Sequence, residues 1–70
     1  MWVKSEGRLF DISGCRVEPV EGTDGRVGIN LVPHGGKSVS VATGLTTARA
    51  EAAMTNIERG IAQGVPLVDL

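Results

Sequence analysis

The chain is short of most of what a catalytic, metal-bound or disulfide-stabilised protein uses. Cys15 is its only cysteine and His34 its only histidine. No internal disulfide can form, and a structural zinc site lacks ligands. Trp2 and Phe10 are the only aromatic residues. That is too few for the interleaved aromatic and basic side chains on which single-stranded nucleic acid stacks. Seven basic and eight acidic residues leave a net charge of −1, and the basic ones are scattered among the acids, with no run to neutralise a phosphate backbone. No stretch of about 18 apolar residues is present to span a membrane. The chain does not open on a basic segment leading into an apolar run, as a signal peptide does. Nucleic-acid and membrane partners are therefore not expected, and a lone cysteine fits a reducing, cytoplasmic setting.

What is present is a clear change of period. Residues 1–43 read as short strands, residues 46–63 as a helix, and residues 65–70 as an apolar tail, all within one small domain over 1–70. Met1–Ser5 and Arg8–Ile12 flank Glu6-Gly7, where glycine can take φ > 0, and read as a β-hairpin. Ser13-Gly14 is a second break. Cys15–Val20 alternates, with Cys15 and Val17 on one face and Arg16 and Glu18 on the other. Pro19 lacks an N–H, which places it at a sheet edge or a bulge. Asp24-Gly25 signals a hairpin turn. Arg26–Pro33 then sets Val27, Ile29 and Leu31 on one face, and Lys37–Thr43 does the same with Val39 and Val41. Together these runs predict an antiparallel meander with one wet face.

Thr46 or Thr47 can cap the helix with a hydroxyl, and Gly64 followed by Pro66 ends it. Ala50, Ala53, Met54, Ile57 and Ile61 form its apolar stripe. Gly60 inside the last turns costs about 1 kcal/mol against alanine. The tail, Val65–Leu70, is unusually apolar for a terminus. It is expected either to pack back on the domain or to bind a partner.

The motifs that carry chemistry are fragments. Gly36-Lys37-Ser38 ends like a phosphate-binding loop, but the first glycine of that motif would fall at Leu31, and a strand rather than a helix follows. His34-Gly35-Gly36 resembles an oxyanion loop without the nucleophile elbow it serves. Cys15, alternating with Val17, reads as a buried thiol rather than a nucleophile. Glu18, Glu21 and Asp24 lack the spacing of a calcium loop. No catalytic residue, metal site or cofactor is expected, and the protein is not read as an enzyme.

Met1-Trp2-Val3, followed after three residues by Gly7-Arg8-Leu9, is an opening that resembles a set of small bacterial and phage proteins of unassigned function. The likeness continues through the alternating strands to the Ala/Glu-rich helix, Ala48–Ile61. It implies a small antiparallel sheet or roll, akin to a reduced pleckstrin-homology domain, closed by a C-terminal helix. It brings no catalytic residues with it. The Gly-rich turns and the tail depart from the pattern.

The expected fold class is α+β, with about five short antiparallel strands followed by one amphipathic helix packed on the sheet. The expected core is Val3, Leu9, Ile12, Val17, Val27, Ile29, Leu31, Val39, Val41, Met54, Ile57 and Ile61. The expected function is a non-enzymatic protein-interaction module that docks a protein partner or a second copy of itself. Its contact residues would be drawn from Trp2, the sheet edge at Pro19, and Val65, Leu67, Val68 and Leu70 of the tail. The alternatives are a small-molecule or peptide binder, with a pocket between sheet and helix where Gly28 lets a ligand approach, or an accessory regulator contacting nucleic acid.

Overall fold

A computed structural model describes all residues from Met1 to Leu70. Its first two strands, β1 (Trp2–Ser5) and β2 (Arg8–Asp11), pair antiparallel around Glu6-Gly7. Both turn residues have positive φ, 53° and 75°. This is the conformation a two-residue hairpin loop needs to match the twist of its strands. Strands β3 (Cys15–Glu21), β4 (Val27–Pro33) and β5 (Val39–Leu45) form an antiparallel meander. A short 3-10 turn over Thr23–Gly25 joins β3 to β4. Helix α1 (Thr47–Gln63) follows. The Thr46 hydroxyl accepts the Arg49 backbone N–H at 3.2 Å, and Gly64 stops the helix in a left-handed conformation.

The chain does not end there. Leu67–Asp69 is a sixth strand, β6, lying parallel to β1. The expected count of about five strands is exceeded by this one, and the strands divide into two sheets, β2-β1-β6 and β3-β4-β5. Parallel neighbours need a long crossover, and here nearly the whole chain provides it. The tail thus packs back within the same chain. The Trp2 N–H donates to the Pro66 carbonyl and the Leu70 N–H to the Lys4 carbonyl, both at 2.8 Å.

Val3 and Phe10 of the first sheet meet Ile29, Leu31, Val41 and Ala42 of the second and Ala53 and Ile57 of the helix in one buried cluster. Val3, Ile29 and Ile57 are its most completely enclosed large side chains. Each contributes roughly 1.5–3 kcal/mol from burial alone, before entropy is counted. The outward face of the meander carries Arg16 and Glu18, an exposed ion pair at 3.2 Å, together with Asn30 and Ser40. It is the wet face expected from the alternation.

Three expected core residues lie outside. Leu9, Val39 and Ile61 are exposed, and Phe10, Ala42, Ala50 and Gly60 are buried instead. Leu9 is displaced by the hairpin. A two-residue loop puts Ser5 opposite Arg8, so inward Val3 faces Phe10 and outward Lys4 faces Leu9. In β5 the register slips twice against β4. A bulge sets successive residues on the same side, which is how Val41 and Ala42 are both buried, while Val39 stays at the open end of an edge strand. The helix buries Ala50, Ala53, Ile57 and Gly60 rather than a stripe ending in Ile61. Gly60 faces inward because the returning tail passes there. A Cβ at this position would stand 2.6 Å from Val68 Cγ2 and 3.0 Å from Val65 Cγ2. The helical cost of this glycine is offset by the docking of β6.

No helix is long and apolar enough to cross a membrane.

Candidate functional site

Side chains on β1 alternate, Val3 and Ser5 inward, Trp2 and Lys4 outward. The register of its two neighbours fixes the rest of the outward face. Trp2 stands between Asp11 on β2 and Leu67 on β6, and Lys4 stands between Leu9 on β2 and Asp69 on β6. The result is a grid of two rows and three columns, with Trp2, Leu9 and Leu67 as its apolar members. Trp2 is 47% exposed, Leu9 60% and Leu67 49%. Cross-strand neighbours such as Trp2 and Leu67 have Cβ atoms about 5 Å apart, so the indole and the leucine start side by side on this face. Single exposed apolar residues are ordinary, whereas three that share a face are not.

One of the charges on this face, Asp11, is held in place. The Ser13 backbone N–H donates to Asp11 Oδ1 at 3.0 Å. That bond, followed by one from the Ser13 hydroxyl, holds the Asp11 carboxyl below its usual range. Asp11 therefore stays ionised beside Trp2, and Lys4 and Asp69 are direct cross-strand neighbours. On the inward side, the Arg8 guanidinium lies 5.2 Å from the centre of the Phe10 ring, covering that end of the core by a cation–π contact.

Of the six residues singled out from the sequence, the structure brings together Trp2 and Leu67. Val68 and Val65 turn inward against Gly60, and Leu70 packs half-buried on the core. Pro19 lies on the other sheet, in edge strand β3. Cys15, four residues earlier and on the same side of the strand, sends its N–H away from β4 to the Ile12 carbonyl at 3.1 Å. The N–H that Pro19 lacks is therefore one that would have faced the open edge, and a strand adding there meets no donor at its middle. The other edges are blunted too, since β2 and β6 are short and β5 is twice bulged.

Leu9 is the exposed member of this face that sequence reasoning missed, having assigned it to the core. The signal was available, because the two-residue loop and inward Val3 together place Leu9 outside. Gly28 was expected to admit a ligand to β4. A Cβ there would meet the Ala42 carbonyl oxygen at 3.1 Å, and Gly28 also lines a hollow of about 320 Å³ with Val20, Asn30 and Ser40. The β3–β4 register sets Cys15 opposite Pro33, next to His34. Cys15 packs toward the core with Sγ 3.7 Å from the Ser13 carbonyl, while exposed His34 borders a shallow depression with Gly14, Arg16 and Val32. Neither Cys15 nor a carboxylate lines that depression. No three His, Cys, Asp or Glu side chains are grouped to hold a metal ion.

Two hollows flank α1. A groove of about 650 Å³ runs between its first half and the ends of β3 and β4, and a second of about 410 Å³ opens between α1, the end of β5 and the ends of β1 and β6. Comparison with protein-family models, with curated proteins and with solved structures finds no match.

Proposed function

We propose that the protein is a small, non-enzymatic interaction module of the cytoplasm that docks a protein partner through the outward face of β2-β1-β6. The observation that carries this reading is the exposed Trp2–Leu67 pair, joined by Leu9, on a sheet face that neither the helix nor the other sheet covers. Tryptophan at the centre of such a patch is the residue type most enriched among binding hot spots. Lys4, flanked by leucine and aspartate, gives the patch a charge pattern that orients a partner more than it strengthens the bond. Blunted strand edges leave side-chain contact rather than strand addition as the mode of docking. At strand spacings of about 4.8 Å the six grid positions cover far less than the roughly 800 Å² per partner of a standard interface. The contact is therefore transient, or the centre of a wider one, and a second copy of the chain is among its possible partners.

The test compares Leu67→Lys and Leu9→Lys with Ser40→Lys on the wet face of the other sheet. Sedimentation over a wide concentration range reads self-association, and capture from the native cell reads other partners. The first two variants should keep the wild-type melting temperature and lose association, and Ser40→Lys should keep both. Association that survives both leucine variants, or is lost equally in Ser40→Lys, contradicts the proposal.

A further inference from the structure

We infer that the groove between β3, β4 and α1 is a second docking site, independent of the first, and that its occupant is a short basic peptide segment with interleaved aliphatic residues. The groove lies where the first half of the helix crosses the ends of β3 and β4. Ala50 is buried on the sheet, and Pro19, Val27 and Met54 are left lining an open hollow of about 650 Å³. That volume is in the range of ligand-binding clefts. Met54 is a side chain suited to reshaping around a guest.

The charges around this floor have one sign. Glu21 lines the groove from the sheet, and Glu51 and Glu58 line it from the helix, while no lysine or arginine borders it. The only ion pair in the protein is Arg16–Glu18, so none of the three carboxylates is ion-paired within the fold. Glu51 and Glu58 are seven residues apart on one helix face, roughly 10 Å along the axis. Cationic side chains two residues apart on an extended peptide are about 7 Å apart, and their flexible stems span the difference.

Lysine and arginine lay their aliphatic stems on apolar surface while the head stays at the charged, wet rim. Here Val27 and Met54 would take the stems and the three glutamates the heads. Because Pro19 removes the central donor of the β3 edge, recognition runs through side chains. An acidic segment or a phosphate backbone is repelled by the same three carboxylates.

The experiment follows amide NMR shifts of the full-length chain titrated with an acetylated, amidated pentapeptide alternating lysine and leucine. The same peptide with glutamate for lysine is one control, and spermidine, which has charge but no branched aliphatic side chain, is another. The lysine peptide should give saturable shifts confined to the residues that line the groove, Glu21, Val27, Glu51, Met54 and Glu58 foremost, and its affinity should fall as salt rises. The double variant Glu51→Gln/Glu58→Gln, with both changes at exposed positions, should melt like the wild type and bind about tenfold more weakly. Shifts elsewhere, no saturable binding, equal binding of the glutamate peptide or of spermidine, or unchanged affinity in the double variant would each overturn the inference. Leu67→Lys leaves this site intact and should not alter the titration, which separates its failure from that of the first site.

Discussion

Replacing Gly60 by alanine tests the reason for the shape of the C-terminal third. Helix propensity alone favours the change by about 1 kcal/mol. The surroundings oppose it, because the new methyl carbon would lie 2.6 Å from Val68 Cγ2, 3.0 Å from Val65 Cγ2 and 3.1 Å from Met1 Sδ. The methionine can move aside. The two valines are stiff about χ1, and β6 is tied to β1 through the Pro66 carbonyl and the Leu70 N–H. Overpacking of this kind costs about 1–3 kcal/mol. The upper part of that range applies when no rotamer relieves the contact, giving a net loss of about 1–2 kcal/mol. For a domain of this size each 1 kcal/mol is about 4–8 °C in melting temperature. Gly60→Ala should thus melt at least about 4 °C lower, with the Leu70 amide losing protection from exchange before the core does. Val68→Ala in the same chain removes the nearest methyl, and the pair should lose less than the sum of the two single changes. Ala52→Gly, at an exposed helical position, provides the propensity control and should cost about 1 kcal/mol. A Gly60→Ala protein that melts higher than the wild type would refute the claim that β6 docks against the helix at this point.

Two further outcomes follow from the burial and the charges. Ile57→Ala removes one of the most enclosed side chains and should cost about 2–5 kcal/mol, whereas Ile61→Lys, one turn on and exposed, should change stability by no more than about 0.5 kcal/mol; chemical denaturation measures both. Asp11, held low by the Ser13 N–H and then by its hydroxyl, should titrate below the ordinary aspartate value of about 3.9, with the midpoint rising in Ser13→Ala. Since the folded state lowers this pKa, the stability it contributes is present above about pH 4 and lost as pH falls through the folded value, which a carboxyl carbon NMR titration and acid unfolding would follow together.

Much of the architecture is written in local signals. The two-residue turn at Glu6-Gly7, the alternation from Cys15 to Leu31, the Thr46 cap and the Gly64 stop each act over a few residues, and each appears where those residues indicate. What the sequence concealed is non-local. Val65–Leu70 reads as an apolar terminus, and only the position of β1 some 65 residues earlier makes it a strand. Gly60 looks like a flaw in a helix until that strand is in place, and then it explains why the buried stripe is not the one that ends in Ile61. The slips in β5 bury Val41 and Ala42 side by side and break a period of two that the sequence otherwise suggests. The candidate contact face was half legible. Trp2 and Leu67 were singled out, but their meeting depended on the unseen parallel pairing, and Leu9 was hidden by its apolarity.

Everything proposed for this face depends on β6 pairing with β1 of its own chain. The most direct measurement is the nuclear Overhauser contact between the Trp2 indole and the Leu67 methyls, recorded in dilute solution and again in a mixture of labelled and unlabelled chains. The contact should be strong within one chain and absent between labelled and unlabelled ones. Its absence in dilute solution, or its appearance only between different chains, would mean that the tail binds in trans and that the Trp2–Leu67 face of a single molecule does not exist.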